Sequence, residues 1–191
     1  MLDFMPVKQG ARTMNALAAD LSVDDLRVLS QESIAALETL LKGMEDTDVR
    51  FVPADPEAAD AAAADLGDRY LPWTIGHNIV HMTASAEEYA ATATELARGV
   101  PFHARPRYET PWQTITTVDQ CRQRLLESRR IRLASLDMWP DEPHLDTGYI
   151  AWDTSGWVNA TGIFVWGLAH DADHLQQMAK ILDQAKSAAL R

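Results

Sequence analysis

The stretch LAHDADHLQQ, residues 168–177, places His170 and His174 four positions apart in a segment that reads as helix. An α-helix turns once every 3.6 residues, so both imidazoles leave the same face and can address one object. The segment belongs to a longer one, from about Asn159 to Leu190, that contains no proline and has only Gly162 and Gly167 as weak points. His170 and His174 share its stripe with Ile163, Trp166, Gly167, Gln177, Met178 and Ile181. That is the apolar side, and it must face the interior of whatever the helix packs into. Two imidazoles on such a face require partners.

Three further segments carry helical patterns. Residues 22–44 open with Ser22 as an N-cap and Asp24 and Asp25 in the first turn, and space Leu26, Leu29, Ile34, Leu37 and Leu41 as an apolar stripe. Residues 72–98 enter at Pro72 and stop at Gly99. Residues 117–139 carry Thr117 and Gln120 in capping-box spacing and end before Pro140. No alternating pattern of strand length competes. The chain therefore predicts an all-α fold, a four-helix bundle forming one domain over residues 1–191. Its connections, at about 45–72, 99–117 and 140–158, far exceed the roughly 2 to 8 residues that join simple antiparallel neighbours, so at least one is expected to cross the bundle. Within the first, DPEAADAAAADLG (55–67) predicts a short helix capped by Asp55 with Pro56 at its first position.

Composition excludes several functions. A net charge of −11, with RRIR at 129–132 as the one basic run, leaves no surface able to neutralise a phosphate backbone, so no nucleic acid is expected as partner. RRIR itself reads as a solvated helix face. No apolar run reaches 18 residues and the first twenty-two residues lack the pattern of a secretory signal, so no membrane span and a cytoplasmic location are expected. The single cysteine, Cys121, rules out an internal disulfide and a cysteine-based zinc site. It reads as a packed, inert thiol, with Asp119 opposing the helix-terminal field that would activate it.

The second predicted helix carries its own pair four apart, His77 and His81. Their face also holds Thr74, Asn78, Ala84, Ser85 and Glu88, while Ile75, Ile79, Met82, Tyr89 and Leu96 lie elsewhere on the helix. A polar face of this kind fits solvent exposure or the wall of a wet pocket. Four of six histidines thus occur as two one-turn pairs, and a divalent metal explains that economically. Three imidazoles would leave a coordination position open for water or substrate, as catalytic sites do. The helical zinc-protease motif shares the spacing of HDADH but has glutamate where this chain has Asp171, and Asp183 is the only carboxylate after His174. The connection FHARPRYETPW (102–112) reads as a surface loop in which Arg105 or Arg107 could clamp a carboxylate. WPDEPHLDTGYIAWDTSGW (139–157), with His144 and three tryptophans, could rim a pocket or cover the core.

PWTIGHNIVHM (72–82), followed some ninety residues later by HDADHLQQ (170–177), resembles the DinB/YfiT-like superfamily of metalloenzymes. The resemblance runs over nearly the whole chain in helix order and length, and rests for its specificity on these two motifs. It implies a four-helix bundle with crossover connectivity and a metal held by one histidine of the second helix and two of the fourth. Carried over by position, the characteristic tryptophan and small hydroxyl residue fall on Trp73 and Thr74. The metal ligands fall on His81, His170 and His174, and a supporting glutamine on Gln177. His77 matches no ligand position; it could support the site from behind, close it as a fourth ligand, or be an ordinary polar neighbour. The resemblance further implies zinc, with nickel or iron as alternatives, a small-molecule substrate, a low-molecular-weight thiol such as mycothiol or bacillithiol as cosubstrate, and a homodimer. A thiol in the open position would lose its proton to the uncompensated charge of the ion and become the nucleophile of a transferase or isomerase. Water there would ionise near pH 7 and give a hydrolase instead. A non-catalytic metal-binding stress-response protein would need the same bundle and neither step.

Overall fold

A computed structural model describes residues 2–59, 66–105, 107–151 and 156–190. Among the described residues seven α-helices and one pair of strands follow in chain order: α1 (Met5–Lys8), α2 (Met14–Ala18), α3 (Val23–Leu40), α4 (Asp46–Val49), α5 (Ile75–Ala97), α6 (Val118–Leu136), β1 (Gly148–Ile150), β2 (Trp157–Asn159) and α7 (Ala160–Ala189). The four long ones, α3, α5, α6 and α7, are the predicted bundle. Their ends are fixed by local chemistry that the sequence displays. Ser22 and Asp25 form a reciprocal capping box on α3, and Thr117 and Gln120 form another on α6. Thr74 caps α5 by accepting from His77 N, Asn159 caps α7 by accepting from Gly162 N, and Gly99 at φ +80° ends α5 where a side chain would be strained.

The packing order differs from the chain order. α5 packs on α6 and α7, and α3 packs on α6 and α7, so α3 and α5 occupy opposite corners of the bundle, as do α6 and α7. The long first and third connections therefore each join helices that are not packed neighbours, as their length led one to expect. At the start of α5 the chain comes so close to the segment before α6 that a Cβ on Gly76 would sit 2.3 Å from the Ile115 carbonyl oxygen. Only glycine permits that approach.

Several local expectations are corrected. The 139–157 segment contains a small antiparallel hairpin, Gly148–Ile150 on Trp157–Asn159, where no strand was expected. Three residues per strand are too few to show alternation. Asn15 holds the hairpin to the N-terminal segment, donating to Trp157 O at 3.1 Å and accepting from Asn159 N at 3.1 Å. The helix expected at 55–67 lies partly on residues 60–65, outside the described residues. At its expected start Pro56 and Glu57 form a turn in which Asp55 accepts from Glu57 N, and residues 66–68 form a single 3-10 turn.

The core has two apolar halves with a polar layer between them. One half gathers Leu26, Tyr89, Leu96, Leu136, Phe164 and Leu168, the other Ile34, Leu37, Ile79, Met82, Leu125, Met178 and Ile181. Along α7, His170 and His174 fall between the residues of the two halves, whereas His77 and His81 of α5 lie among Ile75, Ile79 and Met82 of the second. On the far side of α7 the same layer holds Arg132, 1% exposed, in a two-pronged ion pair with Asp171, also 1% exposed. Ser33 of α3 donates to Asp171 Oδ2 at 2.7 Å, and Arg132 Nε donates to Ser128 Oγ at 3.2 Å. RRIR is therefore not a uniformly solvated face: Arg129 and Arg130 are exposed, but Arg132 crosses the interior to an acid 39 residues away. Breaking this pair from one side leaves a buried charge without its partner, a loss of about 3 to 5 kcal/mol. Asp171→Leu should lower stability by that amount in urea unfolding of the chelator-treated protein, and Arg132→Met added to it should recover most of the loss, since two apolar side chains leave no stranded charge.

Candidate metal centre

α5 and α7 pack along much of their length, and the site is built where they face each other. His81 projects from α5, and His170 and His174 project one turn apart from α7. Their Nε2 atoms converge: His170 Nε2 lies 3.3 Å from His81 Nε2 and 3.3 Å from His174 Nε2. Two nitrogens bound at about 2.0 to 2.1 Å to a tetrahedral ion are about 3.3 Å apart, so the spacing is that of adjacent corners of such a site. Among the described residues these three histidines form the cluster whose ligand atoms could hold a metal ion, all within 4.8 Å of one another. Burial, reinforced by the neighbouring rings, pushes His81 down to about 2 and His170 down to about 3, and burial lowers His174 as well. All three are neutral imidazoles at physiological pH, the form that offers a lone pair to a cation.

Each ligand has a different environment behind it. His174 Nδ1 lies 2.8 Å from Asn78 Oδ1 and 3.0 Å from Gln177 Oε1, so Gln177 is where the sequence placed it, in support of His174. His170 Nδ1 is buried with no hydrogen-bond partner among the described residues, and the Tyr89 ring meets its imidazole edge-on at 6.0 Å. His81 Nδ1 lies 3.3 Å from Arg107 Nη2 and 4.0 Å from Glu109 Oε1. A guanidinium can only donate, so in this arrangement Nδ1 of His81 accepts. With a cation on Nε2 the ring proton would reside on Nδ1, and Glu109 is the acceptor within reach.

Arg107 comes from the 102–112 connection. That connection is not a free surface loop: Arg105 grips Glu88 through two hydrogen bonds, and Arg107 donates to Ser85 Oγ at 2.8 Å and to Glu88 Oε2 at 3.4 Å while also pairing with Glu109. Glu88 is buried on α5, so these contacts strap the connection across the helix face that carries His81.

His77 stands outside the cluster. Its ring is stacked between Trp73, at 4.4 Å, and Trp112, at 4.9 Å and 4° from parallel. His77 is not among the histidines whose ligand atoms come together, and its ring is buried, so this part of the helix face is not solvent-exposed. Trp73 also lies over His174 at 5.7 Å and tilts against His81 at 4.5 Å. A cavity of about 320 Å³ opens beside these rings, lined by His81, His174, Trp73, Leu71 and Gln177, with Asp55 and Glu57 at its edge. Asp171, which occupies the position of the protease glutamate, points away from the cluster into its pair with Arg132, so the protease reading has no base. Cys121 is buried in the apolar half that holds Ile34, Leu125 and Met178, and burial pushes its thiol up to about 12, which makes it the inert residue expected.

Asn78, Trp112, Arg107 and Glu109 are the neighbours of the site that sequence reasoning did not assign. Asn78 was visible on the polar face of α5; the other three reach the site through a connection whose path no periodicity reveals.

No curated protein and no solved structure matches the chain. No helix among the described residues is long and apolar enough to cross a membrane. A family model described as DinB superfamily matches residues 30–178, which takes in most of α3, all of α5 and α6, and α7 through the histidine pair and Gln177. The chain belongs to the DinB superfamily.

Proposed function

We propose that His81, His170 and His174 hold a divalent metal ion, zinc first with nickel or iron as alternatives, and that the protein uses it to activate a low-molecular-weight thiol for transfer to a small electrophile. The observation that carries this reading is the convergence of three neutral imidazoles, with no carboxylate among them, beside a cavity that His81 and His174 line. Held by three neutral imidazoles, such an ion would keep its double positive charge and would lower the pKa of a thiol bound to it. The chain supplies the rest. Trp73 and Leu71 give the cavity apolar surface beside two of the ligands. Gln177 reaches both His174 and the cavity, and Asp55 and Glu57 leave its edge acidic. The substrate is a small molecule on this reading, as the cavity volume allows. The reaction takes place in the cytoplasm, where a thiol pool is maintained and Cys121 stays reduced.

The ligand assignment separates two variants. His81→Ala should abolish stoichiometric metal binding, and its melting temperature should match that of the chelated wild type, because an ion bound only by the folded state contributes stability through mass action. His77→Ala removes a ring packed between two indoles and should cost about 1 to 3 kcal/mol, yet keep one metal per chain by elemental analysis. Equal loss of metal in both would refute the assignment of His81 over His77.

The thiol reading is tested with cobalt in place of the native ion. Bacillithiol, mycothiol or glutathione added to the cobalt protein should produce a sulfur-to-metal charge-transfer band that is absent in His174→Ala. A spectrum that none of these thiols perturbs would overturn the thiol-transfer function while leaving the metal site standing.

A further inference from the structure

Asn78 is buried completely on the first turn of α5. Its amide has a fixed orientation. Nδ2 lies 3.0 Å from the carbonyl oxygen of Thr74, which can only accept, so the nitrogen must be on that side and Oδ1 on the other. Oδ1 faces His174 Nδ1 at 2.8 Å. An amide oxygen has no proton to give, so the ring must donate, and Nδ1 carries the hydrogen. A neutral imidazole protonated at Nδ1 has its lone pair at Nε2, the atom that faces the cluster.

Gln177 agrees with this assignment but does not fix it. It too lies within 3.0 Å of Nδ1, but it is partly exposed on the cavity wall, where its amide can turn over. The Asn78 amide is locked by the backbone of the preceding turn and cannot. The other two ligands have no comparable support: His170 Nδ1 has no partner among the described residues, and His81 Nδ1 faces a guanidinium that favours the opposite tautomer. The three rings therefore differ in how far each is prepared for a cation.

We propose that Asn78 is the positioning residue of the site: through Thr74 O and His174 Nδ1 it sets His174 as the one histidine held in the metal-accepting tautomer before any ion arrives. The proposal rests on the metal reading for its purpose, but not for its tautomer.

The test begins with the wild-type protein treated with chelator and held at pH 8, where two-bond proton–nitrogen correlation spectra of the imidazoles distinguish the tautomers. His174, assigned by its loss in His174→Gln, should show a protonated Nδ1 and a bare Nε2. A protonated Nε2 on His174 would overturn the proposal whatever the protein binds. Zinc affinity, measured by competition with a chromophoric chelator, then supplies the functional arm. Asn78→Leu should weaken binding by about 10- to 100-fold, the usual effect of removing a hydrogen bond behind a metal-binding histidine, and should show His174 as a mixture of tautomers. Asn78→Asp keeps an acceptor at the same place and should recover most of the affinity. Affinity unchanged in Asn78→Leu would also overturn the proposal. If Asn78→Leu fails to fold, the wild-type spectrum and the aspartate variant decide it alone. Failure of the wild-type protein to bind zinc, with the predicted tautomer present, would instead count against the metal reading.

Discussion

Three imidazole nitrogens directed at one point, with no acid among them, are the constraint around which this molecule is arranged. Ring nitrogens 3.3 Å apart can share protons in only a limited way, and burial makes protonation costly for each. On the proposed reading a Lewis acid would satisfy all three at once, in a cluster that the surrounding scaffold holds in the middle of the bundle.

The scaffold answers that demand by concentrating its polar contacts at one level. Above and below the histidines the interior is apolar, and at their level α7 presents His170 and His174 on one side and Asp171 on the other. Asp171 is tied to Arg132 of α6 and to Ser33 of α3, while the histidines meet His81 of α5. One turn of α7 is thus linked to every other long helix by directional contacts. The buried ion pair stands on the same turn of α7 as the histidines and ties that turn to α6 and α3. The strap formed by Arg105, Arg107 and Glu88 does the same for the loop that closes over His81.

Much of this was legible in the residues. The four long helices follow from helical patterning and from caps read at Ser22 and Thr117, whereas Thr74, two residues past the expected entry at Pro72, and Asn159 are caps that the structure adds. The cluster of His81, His170 and His174 was legible because a one-turn histidine pair on an apolar stripe is costly without a common ligand, and because the resemblance singled out His81 over His77. What escaped was long-range. Arg132 reads as solvated until Asp171, far along the chain, is seen to reach it. The polarity of the His77 face could not be read because α5 is buried on nearly every side, so its polar residues line the interior rather than mark an exposed face. The short helices α1 and α2 and the hairpin are too brief to leave a periodic signature and owe their form to contacts such as those of Asn15.

The central claim is that the three histidines converge in order to hold one ion through Nε2. Diffraction collected above and below the zinc absorption edge, from crystals of protein loaded with one equivalent of zinc, tests it most directly. The account predicts a single anomalous peak at about 2.0 to 2.1 Å from Nε2 of His81, His170 and His174, with His77 still stacked between its two indoles. A peak that lies elsewhere, that is shared with His77, or that contacts a ligand through Nδ1 would contradict it.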